Sequence, residues 1–390
     1  MVPKLALSAH IDWELNFTFS GRFNLGQLQF AFDGPLERVL AKHFQRDAKN
    51  ATLSAKFKLY YLLRPFIPIP LRQFLQRSRN RSLEIDNDWY IPSEFLADFR
   101  EAVRSLESTT KVIHPWPNGH QFAVSLTHDI ETAGGQKLVA GIAAMEESLG
   151  LRSAWYFIPY KYKLDYGLIH DLKARGHEVG IHGYNHDGRL FTSRAIFNYR
   201  TTYINKVGQE LGSSGFRAPM VHRNLEWMQQ LEFDYDASCF DIDPYQAMPG
   251  GVGGVWPFIA GRLVELPYTL PQDHTLLITL REASPRVWIR KLELLKSLSG
   301  MALLVTHPDY LDVPSRLKIY QQFCEHVAQQ PGKWPCLPNE ISTWWRHRSG
   351  STITHNAGND SIDGPASNRG RIVDLAQLFE RLDEKLDGVS

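Results

Sequence analysis

The residues best suited to chemistry in this sequence are imidazoles and carboxylates. His182 and His186 stand four residues apart in the stretch Gly176-His177-Glu178-Val179-Gly180-Ile181-His182-Gly183-Tyr184-Asn185-His186-Asp187-Gly188. Imidazoles at that spacing meet on one side of a helical turn and can share a metal ion. Four further polar groups recur along the chain. They are Thr127-His128-Asp129-Ile130-Glu131, Arg217-Ala218-Pro219, the pair Asp241 and Asp243, and His307. Such a set can do hydrolysis. Nitrogen and oxygen ligands hold a divalent ion, a carboxylate takes a proton from water, and a histidine with an ordinary pKa of about 6.5 returns one to the leaving group. Two loop histidines alone could equally be satisfied by water or backbone. The convergence of the other groups decides for the metal reading.

The elements that would position these groups alternate. Strand-like runs are expected at Phe122–Thr127, Ser153–Ile158, Glu178–Ile181, Gly215–Arg217, Tyr235–Ser238, Leu263–Leu266, Thr275–Thr279 and Met301–Thr306. Helices are expected at Gln136–Leu149, Leu164–Arg175, Ser193–Leu211, Leu225–Leu231, Pro285–Leu298 and Ser315–Ala328. Strands alternating with helices imply a parallel sheet with crossovers. About seven such units in roughly 210 residues suit a barrel better than an open sheet. Each polar group falls directly after a strand, on the rim where barrels carry their chemistry.

Composition sets bounds on the rest. The chain has 390 residues, 43% hydrophobic and 22% charged, as in ordinary globular proteins. A net charge of +1 gives no electrostatic case for nucleic acid. Three cysteines, Cys239, Cys324 and Cys336, lack CxxC spacing and suggest neither a disulfide framework nor a thiolate zinc site. No secretory leader is read at Met1–Phe19, and a cytoplasmic location is expected. Residues 1–118 form an N-terminal extension with a strand-like run at Leu25–Phe32 and a helix at Pro92–Leu106. Within it, 55–81 carries seven cations, no acid and several aromatic rings, broken by Pro65, Pro68 and Pro70 into two short helices. Such a segment either packs on the main domain with its charges outward or lies on an anionic membrane face. The barrel is expected over 119–348. Ser349–Asn368 reads as a flexible linker and Arg369–Leu386 as an amphipathic helix.

The order THD-x-E, GHEVGIHxxxHD, GFRAP, YDASCFDIDP and TLLITL…LLVTHPDYL resembles the polysaccharide deacetylases, the NodB-homology group also called carbohydrate esterase family 4. The resemblance spans about residues 120–345. It implies a distorted (β/α) barrel of about seven strands and a bound divalent metal, commonly zinc. It also implies removal of an acetyl group from an N- or O-acetylated sugar in cell-surface polysaccharide synthesis. By that resemblance His182, His186 and Glu131 ligate the metal, Asp129 is the base, Arg217 orients it, and His307 is the acid. Asp241 or Asp243 would hold His307. Tyr184, Pro219, Asp241 and Trp256 would meet the sugar. The usual first motif has two adjacent aspartates, whereas here Ile130 separates Asp129 from Glu131, so the reverse assignment with Asp129 on the metal stays open. Two other functions remain open with it: hydrolysis of another non-peptide C–N bond, and carbohydrate binding without catalysis.

Overall fold

In this computed structural model the described residues are 28–50, twelve positions between 55 and 80, 93–106, 110–246, 251–252, 254–356 and 359–379. The expectation for 55–81 therefore falls mostly outside them, as do Leu25 and residues 380–386.

The strands, in chain order, are β1 (Leu28–Gln29), β2 (Lys111–Ile113), β3 (Phe122–Ile130), β4 (Ser153–Phe157), β5 (Glu178–His182), β6 (Gly215–Arg217), β7 (Tyr235–Asp236), β8 (Phe258–Ala260), β9 (Leu263–Glu265), β10 (Met301–Thr306), β11 (Lys333–Pro335), β12 (Thr352–Asn356), β13 (Asn359–Asp363) and β14 (Ile372–Asp374). One ten-stranded sheet carries the fold. Seven of its strands run parallel in the order β9-β7-β6-β5-β4-β3-β10. The crossover helices include Tyr166–Ala174, Arg194–Leu211, Arg286–Ser297 and Pro314–Gln329. Parallel strands covered on both faces are buried along their whole length, as all nine residues of β3 are. The curl nearly closes. Beyond β9, the Thr269 and Leu270 N–H groups both donate to Leu303 O in β10, each at 3.1 Å. The outcome is a distorted (β/α) barrel, as the alternation implies.

Three expectations are corrected. Thr275–Thr279 is not a strand but part of a π-helix, His274–Thr279. Its Leu and Thr run satisfies a strand pattern, yet one wide helical turn buries Thr275, Leu276 and Leu277 equally well. The supposed linker over 349–368 contains an antiparallel hairpin, β12 paired with β13 from Thr352↔Asp363 to Asn356↔Asn359. After it, where a long helix is expected, β14 pairs with β2, and among the described residues only Leu375–Leu378 is helical. Phe379 then packs edge-on against Phe32, Phe99 and Trp256. The tail thus docks on the N-terminal extension. The Arg348 guanidinium, buried beside it, donates to the Ala31, Ile113 and His114 carbonyls.

Candidate metal centre

Strand alternation explains the unusual spacing of the two acids. Successive side chains of a strand point to opposite faces, so residues two apart share one. Thr127, Asp129 and Glu131 therefore follow one another along the inner face of β3 and just past its end. His128 points the other way. It stacks on Trp155 with centroids 3.9 Å apart and bonds Glu146 and Thr306 at 2.8 and 2.7 Å. It is a packing residue. An intervening residue is what a straight strand needs to bring two carboxylates to one site.

Strand β5 delivers His182 at its last position, and the loop after it delivers His186. Gly183 must be glycine. Its φ is +63°, and a Cβ there would stand 2.3 Å from Pro219 Cδ. His186 itself has φ +60°, a conformation a histidine holds only when its surroundings fix it. The two rings come to 5.3 Å. One oxygen of Glu131 and one nitrogen from each of His182 and His186 lie within 4.8 Å of one another. Glu131 Oε1 is 2.8 Å from His186 Nε2. His182 Nδ1 lies 3.1 Å from the Arg217 carbonyl, which fixes the tautomer with the proton on Nδ1 and leaves Nε2 its lone pair. Burial, against the opposing pull of the Asp129 carboxylate, holds the His182 pKa at about 4, so the imidazole is neutral, as ligation requires. The donor set, two imidazoles and a carboxylate with positions to spare, fits a divalent ion such as zinc.

Asp129 is buried beside this set. Arg217 Nη1 donates to its Oδ1 at 2.8 Å, while its Oδ2 is 3.7 Å from His182 Nε2. Burial is the largest influence and would raise this carboxyl, but the Arg217 guanidinium, with the histidines around it, more than offsets it and holds the Asp129 pKa below its ordinary value. Arg217 is itself clamped. It donates to Thr127 Oγ1 and to Ala237 O, and it lies 4.4 Å over the Tyr156 ring. Below it a polar column descends through the barrel. The Tyr156 and Tyr235 hydroxyls are 2.7 Å apart, and Tyr235 donates to Glu178 Oε1 at 2.7 Å.

His307 faces the set from the end of β10, its Nε2 3.9 Å from Glu131 Oε1. Its partner is Asp273, not Asp241 or Asp243. Asp273 Oδ1 lies 2.7 Å from His307 Nδ1, and its Oδ2 accepts the His307 backbone N–H at 2.7 Å. Burial alone would lower the His307 pKa. The Asp273 charge and hydrogen bond override it and push it up to about 9, so the ring is protonated at neutral pH. The sequence signal was the acid of Pro271-Gln272-Asp273-His274, hidden by the strand-like run after it.

The remaining residues divide. Asp241 pairs with Lys291 at 2.6 Å, both fully buried, so it does not face a substrate. Asp243 accepts from Tyr245 N, Gln246, Tyr268 and Thr275. Trp256 is in the core, its Nε1 donating to Ser299 O at 3.0 Å, not in a cleft. Bulk and aromaticity suited both places, and packing against Phe32 and Phe99 decided. Tyr184 and Pro219 do line a recess with His186 and His222. Asp187 grips Arg200 through both oxygens, at 2.7 and 2.6 Å, rather than an imidazole of the site.

No family model matches the sequence, and no curated protein matches it. Solved structures do. A protein of Mycobacterium smegmatis assigned as a polysaccharide deacetylase superposes with a TM-score of 0.50 at 19% identity, covering 62% of this chain and 95% of that one. This chain has the polysaccharide deacetylase fold. PuuE allantoinase is similar with a TM-score of 0.48 at 16% identity, covering 60% of this chain and 93% of its own. A further protein assigned as a polysaccharide deacetylase, from Pseudomonas aeruginosa PAO1, gives 0.47 at 15%, covering 60% and 94%. At these identities the likeness is one of fold.

Proposed function

We propose that this chain is a metal-dependent hydrolase that removes an acetyl group from an N- or O-acetylated sugar. The observation that carries the reading is the convergence of Glu131, His182 and His186 within 4.8 Å, flanked by Asp129 and His307. A divalent ion held by those three residues would polarise the acetyl carbonyl and acidify a water. Asp129, with one oxygen held by Arg217, is the base that takes the water's proton on its free oxygen. Arg217 keeps that oxygen aimed and charged. His307, held by Asp273, gives a proton to the departing amine or alkoxide oxygen. Glu131 rather than Asp129 is the ligand in this reading, because Oε1 of Glu131 already meets the imidazoles and Asp129 is committed to Arg217.

The same reading assigns the chain to the cytoplasm and to cell-surface polysaccharide synthesis, with segment 55–81 resting on an anionic membrane face. Described positions of that segment support the last point, since Leu59, Leu63, Phe66, Leu71, Phe74 and Leu75 are all exposed. Among the described residues no helix is long and apolar enough to cross a membrane.

The test is elemental analysis beside acetate release from acetylated sugars, on wild type, Glu131→Ala and Asp129→Asn. A single divalent ion per wild-type chain, lost in Glu131→Ala and kept by an inactive Asp129→Asn, is expected. No metal in wild type after zinc is supplied would overturn the reading. Metal lost from Asp129→Asn but kept by Glu131→Ala would reverse the two acids.

A further inference from the structure

Glu131 stands one residue past the end of β3, and a glutamate has one more rotatable bond than an aspartate. Its aim therefore has to come from more than the strand. The peptide group that joins Ile130 to Glu131 is held at both ends by side chains from two other loops. Its oxygen, Ile130 O, accepts from the Tyr162 hydroxyl at 2.7 Å, and Tyr162 Oη in turn accepts the Ile158 N–H at 3.3 Å. Its nitrogen, Glu131 N, donates to Asp309 Oδ2 at 3.3 Å. The other Asp309 oxygen accepts from the Thr132 hydroxyl. Thr132 Oγ1 also accepts the N–H groups of Gly134 and Gly135, at 3.1 and 3.0 Å, and so caps the short helix Ala133–Gln136. Two consecutive residues, Glu131 and Thr132, thus lean on one carboxyl group.

Gly135 leaves the room for it. That residue lies within the short helix, a conformation alanine favours, yet a Cβ there would stand 2.7 Å from Asp309 Cγ. Space and not backbone conformation calls for glycine. Asp309 itself belongs to the turn Pro308–Tyr310 directly after His307, and His307 O accepts the Tyr310 N–H at 2.9 Å. The carboxyl therefore fastens the segment that carries His307 to the segment that carries Glu131, whose Oε1 lies 3.9 Å from His307 Nε2. Asp309 is not one of the three residues whose donor atoms converge. It holds the backbone that carries one of them.

We propose that Asp309 is a positioning residue for Glu131: with Tyr162 it clamps the 130–131 peptide, sets where the glutamate carboxylate enters the metal centre, and fixes that carboxylate against His307. This rests on the reading of Glu131 as a metal ligand. The test is metal binding by full-length protein, with circular dichroism to establish that each variant is folded. Zinc affinity is measured by competition with a chelating dye on wild type, Glu131→Ala, Asp309→Ala, Asp309→Asn and Gly135→Ala. Asp309→Ala should weaken zinc roughly 10–100-fold, the usual cost of losing a group that orients a ligand. Asp309→Asn should recover most of that loss, since its amide oxygen still accepts the Glu131 N–H. Gly135→Ala displaces the carboxyl without removing it. It should weaken zinc in the same way and serves where Asp309→Ala does not fold. Saturating cobalt(II) in place of zinc adds a signature of ligand geometry, and its visible bands should shift in Asp309→Ala and Gly135→Ala and return in Asp309→Asn. Unchanged zinc affinity, or an unchanged cobalt spectrum, in the folded alanine variants would overturn the clamp. Zinc held by wild type and lost from Glu131→Ala alongside that result would leave the metal centre standing. Wild type that binds no zinc would overturn the metal centre and the clamp with it.

Discussion

Glu178→Gln should stabilise this protein, and increasingly so as pH rises. Glu178 opens the strand that ends in His182, and its carboxyl is buried at the foot of the polar column. Both groups that hydrogen-bond it are uncharged: the Tyr235 hydroxyl at 2.7 Å and the Asn339 backbone N–H at 3.0 Å. Burial, reinforced by Glu340 and Asp234, pushes its pKa up to about 7 from a reference of 4.5. The folded chain thus keeps this proton to higher pH than the unfolded chain does. Between pH 4.5 and 7 the unfolded state binds fewer protons, so the wild type loses stability as pH rises through that window. The gap corresponds to about 3 kcal/mol, fully absent below pH 4.5 and fully present above pH 7. Glutamine mimics the neutral acid. Its carbonyl can accept from Asn339, and its amide can donate to Tyr235, which then turns its proton toward Tyr156. Urea unfolding of both proteins at half-unit steps from pH 4 to pH 8.5 measures the difference, and other titrating groups cancel in it. The two should be nearly equal at pH 4, with the variant ahead by about 3 kcal/mol at pH 8. A difference independent of pH would show that Glu178 carries no proton in the fold and would refute the reasoning.

Two further outcomes are expected. Asp273→Asn should lower kcat by roughly 10²–10⁴-fold with a much smaller change in KM, since it removes the charge that orients and protonates His307 without touching the ligand set; unchanged kcat in steady-state acetate release would dismiss His307 as the acid. Replacing Phe66 and Phe74 by serine, or two arginines of 55–81 by glutamine, should weaken sedimentation with vesicles containing anionic lipid, by about fivefold for each charge removed; equal binding to neutral and anionic vesicles would count against the membrane contact.

The metal loop was legible because its chemistry resides in residue type and spacing. His182 and His186 announce themselves, and Arg217 and His307 follow strands whose apolar runs are plain. Glu131 was legible as a candidate, and only the alternation along β3 gives its place a reason. What stayed hidden depends on long-range packing. Asp273 reaches His307 across 34 positions, from a segment whose Leu and Thr content imitates a strand. Asp241 has the type and position of a site residue, but its partner Lys291, 50 positions on, is buried against it. Trp256 had the composition of a cleft wall and the neighbours of a core residue. The hairpin after Ser349 carries a single apolar cross-strand pair, Ile353 opposite Ile362, among polar residues, too little for a hydrophobic period to mark it. Its order comes from cross-strand pairing and from what docks beside it.

The pairing of β14 with β2 joins residues 372–374 to 111–113, and Arg348 and Phe379 seal the same patch. During synthesis β2 therefore waits for a partner made some 260 residues later. A ribosome that stalls after Ser349 would release a barrel with its ligands already translated but with β2 left as a bare edge and the Trp256 cluster open. Such a product is sticky before it is inactive. Residues 372–379, which supply none of the proposed metal ligands, thus cover an edge and an aromatic cluster that would be prone to association if left bare.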